Sequence, residues 1–124
     1  MTTTGKRPAP GEEAEERACE LLRAEGYEIV ARNWHCRHGE IDIVARDGGV
    51  LVFVEVKSRA GAGFGGPEGA VDWRKQQRLT ATVRAFLAMA PTDLPMRFDV
   101  VAFTGGHVRL LRDAFRAEDA CSPD

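Results

Sequence analysis

An α/β domain built on a mixed β-sheet, with elements in the order α-β-β-β-α-β-β, is the fold this sequence predicts. Three observations carry it. Apolar residues recur at helical spacing in two stretches, residues 12–25 and 72–90. Paired glycines, Gly48-Gly49 and Gly105-Gly106, each separate two β-rich runs, which marks a tight hairpin. The second helical stretch lies between strand runs, and a strand–helix–strand succession favours a right-handed crossover joining parallel neighbours. With 124 residues, the chain suffices for one domain with a core and is short for two.

Residues 1–11 read as a disordered arm. The first helix is expected from Glu12 to Glu25, with Ala14, Ala18, Leu21 and Leu22 as its apolar stripe and Gly26 as its stop. Its early glutamates suit the positive end of the helix dipole. Tyr27–Ala31 reads as a short strand. Glu40–Asp47 and Val50–Lys57 then form the hairpin around Gly48-Gly49, and the Gly-rich stretch Ala60–Gly69 is a loop. The second helix is expected from an N-cap at Asp72 to just before Pro91, with Leu79, Val83, Phe86, Leu87 and Ala90 inward. Arg97–Phe103 and His107–Leu111 complete the strands, and residues 117–124 form a tail.

Composition narrows the class. The longest strongly apolar run, Val50–Val54, has five members, whereas a membrane-spanning helix needs about 20. The N-terminus has no apolar stretch of the kind a secretion signal requires. Three cysteines without CxxC spacing suggest reduced thiols and a cytoplasmic location. The net charge of −2 argues against generic nucleic-acid affinity, but the charge is segregated. Residues 12–28 carry seven acids against two bases, and residues 57–88 carry six bases against two acids. A cationic face that meets phosphates and an ordinary solvated helix face both fit that pattern.

The hairpin decides where the charges fall. A two-residue loop at Gly48-Gly49 pairs residues whose numbers sum to 97, which sets Asp42 opposite Glu55 and Glu40 opposite Lys57. Alternation then puts Glu40, Asp42, Val44, Phe53, Glu55 and Lys57 on one face. Ile41, Ile43, Ala45, Val52, Val54 and Val56 form the other, an apolar core face. Directly opposed carboxylates have β-carbons about 4.5–5.5 Å apart and repel. Lys57 relieves that repulsion in one reading, as part of an Asp42–Lys57–Glu55 salt-bridge cluster. A divalent cation relieves it in the other, since Mg²⁺ uses one or two carboxylates with waters and phosphates. On a helical wheel, Glu15 lies nearest the first helix's apolar stripe among Glu12, Glu13, Glu15 and Glu16. It alone points toward the sheet while missing the middle of the core, and on the wheel alone a boundary glutamate with its carboxylate in water is the favoured reading.

On the second helix, Lys75, Arg78 and Thr82 follow one another by turns on a strip apart from the apolar stripe. Together with Arg59 and Arg74, the cations of this strip suit contacts to backbone phosphates, which position a duplex without reading its sequence. Phe64 reads as a loop anchor, and Trp34 and Trp73 as packing residues. His35-Cys36-x-His38 lacks the second, separated ligand pair of a structural zinc site and reads as a loop entering a strand.

Several of these segments together resemble a known family. Gly39-Glu-Ile-Asp42, Phe53-Val-Glu-Val-Lys-Ser-Arg59, Phe64-Gly65, Val71 with Lys75 and Arg78, Arg97-Phe-Asp-Val-Val101, Gly26-Tyr27 and Ala31-Arg-Asn33 resemble the YraN-like bacterial proteins over about residues 11–116. That family looks like a branch of the PD-(D/E)xK nucleases, related to archaeal Holliday-junction resolvases. The resemblance implies a restriction-endonuclease-like fold with an α-β-β-β-α-β core, over residues 12–116. It also implies a site made of an acid on the first helix, an acid on the second strand and an acid-x-Lys on the third. Asp42, Glu55 and Lys57 match directly, and the resemblance offers Lys75 an alternative place at the active-site edge, a role the superfamily sometimes gives to a residue on this helix. For the helix acid, a gapless count back from Gly26-Tyr27 gives Ala14-Glu15, without the family's usual Gly. Gly11-Glu12 keeps the dipeptide but needs a three-residue insertion. The namesake Pro is replaced by Ile41, a departure the family shares.

The expectation is therefore a metal-dependent endonuclease acting on DNA, with branched, Holliday-junction-like structures among its substrates. Glu15, Asp42, Glu55 and Lys57 would be catalytic, and the three acids would ligate Mg²⁺ or Mn²⁺. Arg59, Arg74, Lys75 and Arg78 would bind nucleic acid. No organic cofactor and no membrane are expected. Resolvase relatives act as dimers, and the final strand and tail are the candidate contact for a homodimer here. The alternative is a non-catalytic module that keeps the fold to bind nucleic acid or a protein.

Overall fold

The computed structural model of the chain describes residues 10–59 and 73–116. Seven elements appear in the expected order: α1 (Pro10–Ala24), β1 (Glu28–Cys36), β2 (Gly39–Asp47), β3 (Val50–Arg59), α2 (Trp73–Met89), β4 (Met96–Thr104) and β5 (His107–Phe115). They form a single five-stranded mixed sheet in the order β1-β2-β3-β4-β5. All neighbours are antiparallel except β3 and β4, which run parallel as the helix between them requires. Among the described residues no helix is long and apolar enough to cross a membrane. The glycine loop with Phe64, the Asp72 cap and residues 117–124 lie outside the described residues.

The helices cover opposite faces of the sheet. Ala18, Cys19 and Leu22 of α1 pack on Ile43, Ala45, Val52, Val54 and Val101. Leu79, Val83 and Phe86 of α2 pack on Ile41, Val44, Leu51, Phe53, Phe98 and Val100. The central strands are thus buried on both sides, which explains why Val50–Val54 reads as a continuous apolar run. The hairpin register is the expected one from Asp47↔Val50 to Ile43↔Val54, with Gly48 at φ 62 in the turn. The expected pairs Asp42↔Glu55 and Glu40↔Lys57 do not form, because the Asp42 carboxylate takes the Val56 N–H.

Six further expectations are corrected. Helix α1 begins at Pro10, two residues early, as suits proline at a first helical position. Strand β1 runs on to Cys36 and β5 to Phe115. As edge strands they tolerate many exposed polar side chains, which hid them from an apolar pattern. Ile41 packs under α2 and not with Ile43. Asn33, at φ 54, sits between the partners of Ile43 and Ile41 and interrupts the alternation, so Ala31 and Trp34, like Ile41 and Val44, share a face at a spacing of three. Ala90 lies exposed beyond the end of α2, while Thr80 and Thr82 are buried, their hydroxyls donating to the carbonyls of Gln76 and Arg78. Trp34 packs edge-on against Phe86, but Trp73 is 44% exposed, because it opens the helix ahead of the inward stripe.

Candidate metal and nucleic-acid site

Strands β2 and β3 pair only as far as Ile43↔Val54, although β2 continues beside β1 to Gly39 and β3 beside β4 to Arg59. Beyond that pair, the Val56 N–H donates to Asp42 Oδ2 at 2.8 Å, so a side chain replaces a ladder bond. The gap becomes a cavity of about 330 Å³, lined by Gly39, Glu40, Asp42, Glu55, Lys57, Lys75 and Arg78, with Leu79 and Thr82 behind. Gly39 makes its floor possible. Its φ is +150°, and a Cβ there would lie 3.0 Å from Thr82 Oγ1. Gly39→Ala is expected to cost about 1–3 kcal/mol through strain and displacement of α2, read as a lower urea midpoint at unchanged slope.

Two charge groups divide the site. On one side Glu55, buried, is bonded by the Lys75 ammonium and approached by Lys57 Nζ at 3.7 Å. Burial and then the neighbouring Lys75 push Lys57 below its ordinary value, against the pull of Glu55. At Lys75 burial also pulls downward, but the bonds to Glu55 and Lys57 and the charges of Glu55 and Asp42 outweigh it and hold the ammonium above its usual range. On the other side Glu15, Glu40 and Asp42 each bring a carboxylate oxygen within 4.8 Å of the others. Burial, and then the charge of Glu55, push Asp42 up to about 7. Glu15 is raised as well, chiefly by burial.

Glu15 is only 8% exposed, and its Oε1 is buried without a hydrogen-bond partner. Its carboxylate does accept a hydrogen bond from Asn33. Asn33 holds the left-handed conformation that asparagine tolerates better than most residues. A buried, half-satisfied carboxylate beside two others is the donor set a hard divalent cation takes.

The structure thus brings Asp42, Glu55, Lys57 and Lys75 to one cavity and Glu15 to its edge. Arg78 lines the same cavity, and Arg74 is exposed at the start of α2. Arg59 ends β3, and its side chain lies outside the described residues. One feature went unread: Glu40 joins the acids, though its place two residues from Asp42 on one strand signalled it. Lys75 bonds Glu55 and lines the cavity, as the alternative reading of this residue at the edge of the site expects. Among the described residues, His35, Cys36 and His38 form no ligand cluster, and His38 N–H reaches Cys36 Sγ at 3.4 Å in the hairpin turn.

Residues 14–103 match a family model described as "Uncharacterised protein family UPF0102". A UPF0102 protein of Halorhodospira halophila is 49% identical over 118 residues, covering 95% of this chain and 96% of that protein. One from Pseudomonas entomophila is 48% identical over 112 residues, covering 85% and 91%. One from Lachnoclostridium phytofermentans is 48% identical over 105 residues, covering 83% and 89%. The motifs that resembled the YraN-like proteins and the matches along most of the chain agree: this protein belongs to the UPF0102 (YraN) family.

Proposed function

We propose that this chain is a metal-dependent endonuclease that hydrolyses phosphodiester bonds in DNA, with branched structures among its substrates. The observation that carries the reading is the gap between β2 and β3, where Asp42, Glu55 and Lys57 meet in one open cavity. Bound there by Asp42 and Glu55, with Glu15 at the edge, Mg²⁺ or Mn²⁺ would supply Lewis acidity and lower the pKa of an attacking water. Lys57, its proton affinity reduced by burial and by Lys75, is suited to orient that water and to take up its proton. Lys75 holds Glu55 in place and adds positive charge where the phosphorane charge develops.

The surroundings support a polyanionic substrate. Glu12, Glu13, Glu16 and Glu20 are exposed on α1, whereas Arg74 and Arg78 are exposed on α2, across the sheet. A duplex approaching from the α2 side meets cations and avoids the acidic helix.

Cleavage of labelled junctions, flaps and linear duplexes, with Mg²⁺, Mn²⁺ or EDTA, tests this. Metal-dependent products are expected from the wild type, and Lys57→Ala should lose about 10²-fold or more in rate. Asp42→Ala should lose at least as much. Undiminished cleavage in both variants would overturn the assignment, and DNA binding without any cleavage would favour a non-catalytic module.

A further inference from the structure

The cavity has a second flank, on the side away from α2. Strand β4 pairs in register with β3 on one side and β5 on the other, so Lys57, Ala102 and Arg109 form one row across the sheet. Residues directly opposite one another share a face. Lys57 lines the cavity with Leu79 and Thr82 of α2, and Ala102 belongs to the apolar cluster on that face. Arg109 therefore stands on the α2 face as well, two strands beyond Lys57. At the usual strand spacing their Cα atoms are about 9.5 Å apart. In that row only the methyl group of Ala102 separates them.

Charge and cover both favour an anionic partner here. On this face α2 seats chiefly against β1 and β2. The cavity thus has Arg74 and Arg78 of α2 to one side and the exposed Arg109 of β5 to the other. From the row of Glu55 to the β4–β5 turn, the pairs on this face are Val100 with Leu111, Ala102 with Arg109 and Thr104 with His107. No acid stands among them, and His107 is exposed.

We propose that Arg109 contacts a phosphate of the DNA backbone, so that the strand to be cut runs from α2 across the cavity and over β4 to β5. It is then held on both sides of the reacting bond. This rests on the reading of the chain as a nuclease of DNA, and it adds a surface and a residue which that reading leaves out. A phosphate backbone carries regularly repeated charges, and Arg78, Lys57 and Arg109 offer cations on both sides of the cavity and within it. A guanidinium takes phosphate oxygens through its planar fork of donors. Such a contact sets the position of the DNA and reads no base.

Binding of a labelled continuous duplex in EDTA, measured across a range of salt concentrations, tests the contact. For Arg109→Gln, the slope of log affinity against log salt should be shallower by about 0.9, the share of one phosphate contact on B-DNA. Arg109→Lys keeps the charge and should restore most of the slope. Arg23→Gln removes an equal charge from exposed α1, on the opposite face of the sheet, and should leave the slope unchanged. Since Arg109 is exposed, its variants should melt as the wild type does. With Mg²⁺ present, Arg109→Gln should raise KM and leave kcat nearly unchanged, as loss of uniform binding does. An unaltered slope in Arg109→Gln, or an equal fall in Arg23→Gln, would overturn the contact and leave the cleavage assignment standing on Asp42 and Lys57. A slope that depends on Arg109 in a chain that cuts no DNA would support the surface and overturn the nuclease reading. No DNA bound by the wild type, in EDTA or with Mg²⁺, would overturn both.

Discussion

Asp99→Ala is expected to remove about 3–5 kcal/mol of stability, the cost of leaving one partner of a buried ion pair behind. Asp99 is 1% exposed and lies at the centre of a polar network. Its carboxylate accepts the Tyr27 O–H at 2.6 Å, Arg97 Nε at 2.9 Å and Nη2 at 3.0 Å, and the Asp113 N–H at 2.9 Å. Arg97 also donates to Asp47 at 2.8 Å and to Tyr27 Oη at 2.9 Å. Burial and then Asp99 push the Tyr27 phenol up to about 12, while the bond to Asp99 dominates in holding Arg97 well above its ordinary value. Alanine would strand a largely buried guanidinium and a backbone N–H. Against a total stability of about 5–15 kcal/mol, that loss threatens the fold itself. Tyr27→Phe, which removes one hydroxyl, should cost only about 1–2 kcal/mol. Urea unfolding measures both. Equal losses in the two variants would show that Asp99 is not the centre of the network.

A second large effect concerns pH. Asp42 titrates at about 7 in the folded chain against 3.8 for the free side chain. Between these values the folded state holds a proton that the unfolded state has released, so stability must fall as pH rises. The stabilisation from protonated Asp42 is complete below about pH 4 and is lost as pH passes through about 7. At 1.36 kcal/mol per unit, the difference amounts to at most about 4 kcal/mol. Asp42→Asn keeps an acceptor for the Val56 N–H and cannot ionise. In EDTA it should match the wild type near pH 4 and exceed it above pH 8. A variant no more stable than the wild type at pH 8.5 would refute the assigned burial of charge. Divalent cation should restore the wild type at high pH and do little below pH 6, because protons and the ion compete for the same oxygens.

Both effects involve residues whose role the linear pattern left partly dark. The element order, the parallel crossover and the hairpin register were legible, because each depends on residues near one another. Helical spacing of Ala18 and Leu22, or of Leu79, Val83 and Phe86, fixes a buried face without knowledge of what covers it. Asp42, Glu55, Lys57 and Glu15 were legible as candidates for a related reason: register and wheel geometry place them on known faces. The long edges β1 and β5 were not, since their polar residues meet solvent and carry no apolar signal. Arg97 and Asp99 stood out only as part of a resemblance. Their partners Tyr27 and Asp113 come from distant segments, and nothing local announces the bonds.

The sequence by itself determined which elements form, how the central hairpin pairs and which acids and lysines lie near its open end, since backbone preference and periodicity are short-range properties. Only the tertiary structure decided that β2 and β3 part after Ile43 and Val54, that Lys75 reaches Glu55 and that Glu40 joins Glu15 and Asp42. Those distances depend on how two helices seat on opposite faces of a sheet and on the turn in the backbone at Asn33. Packing of the whole chain sets them, and no stretch of neighbouring residues encodes them alone.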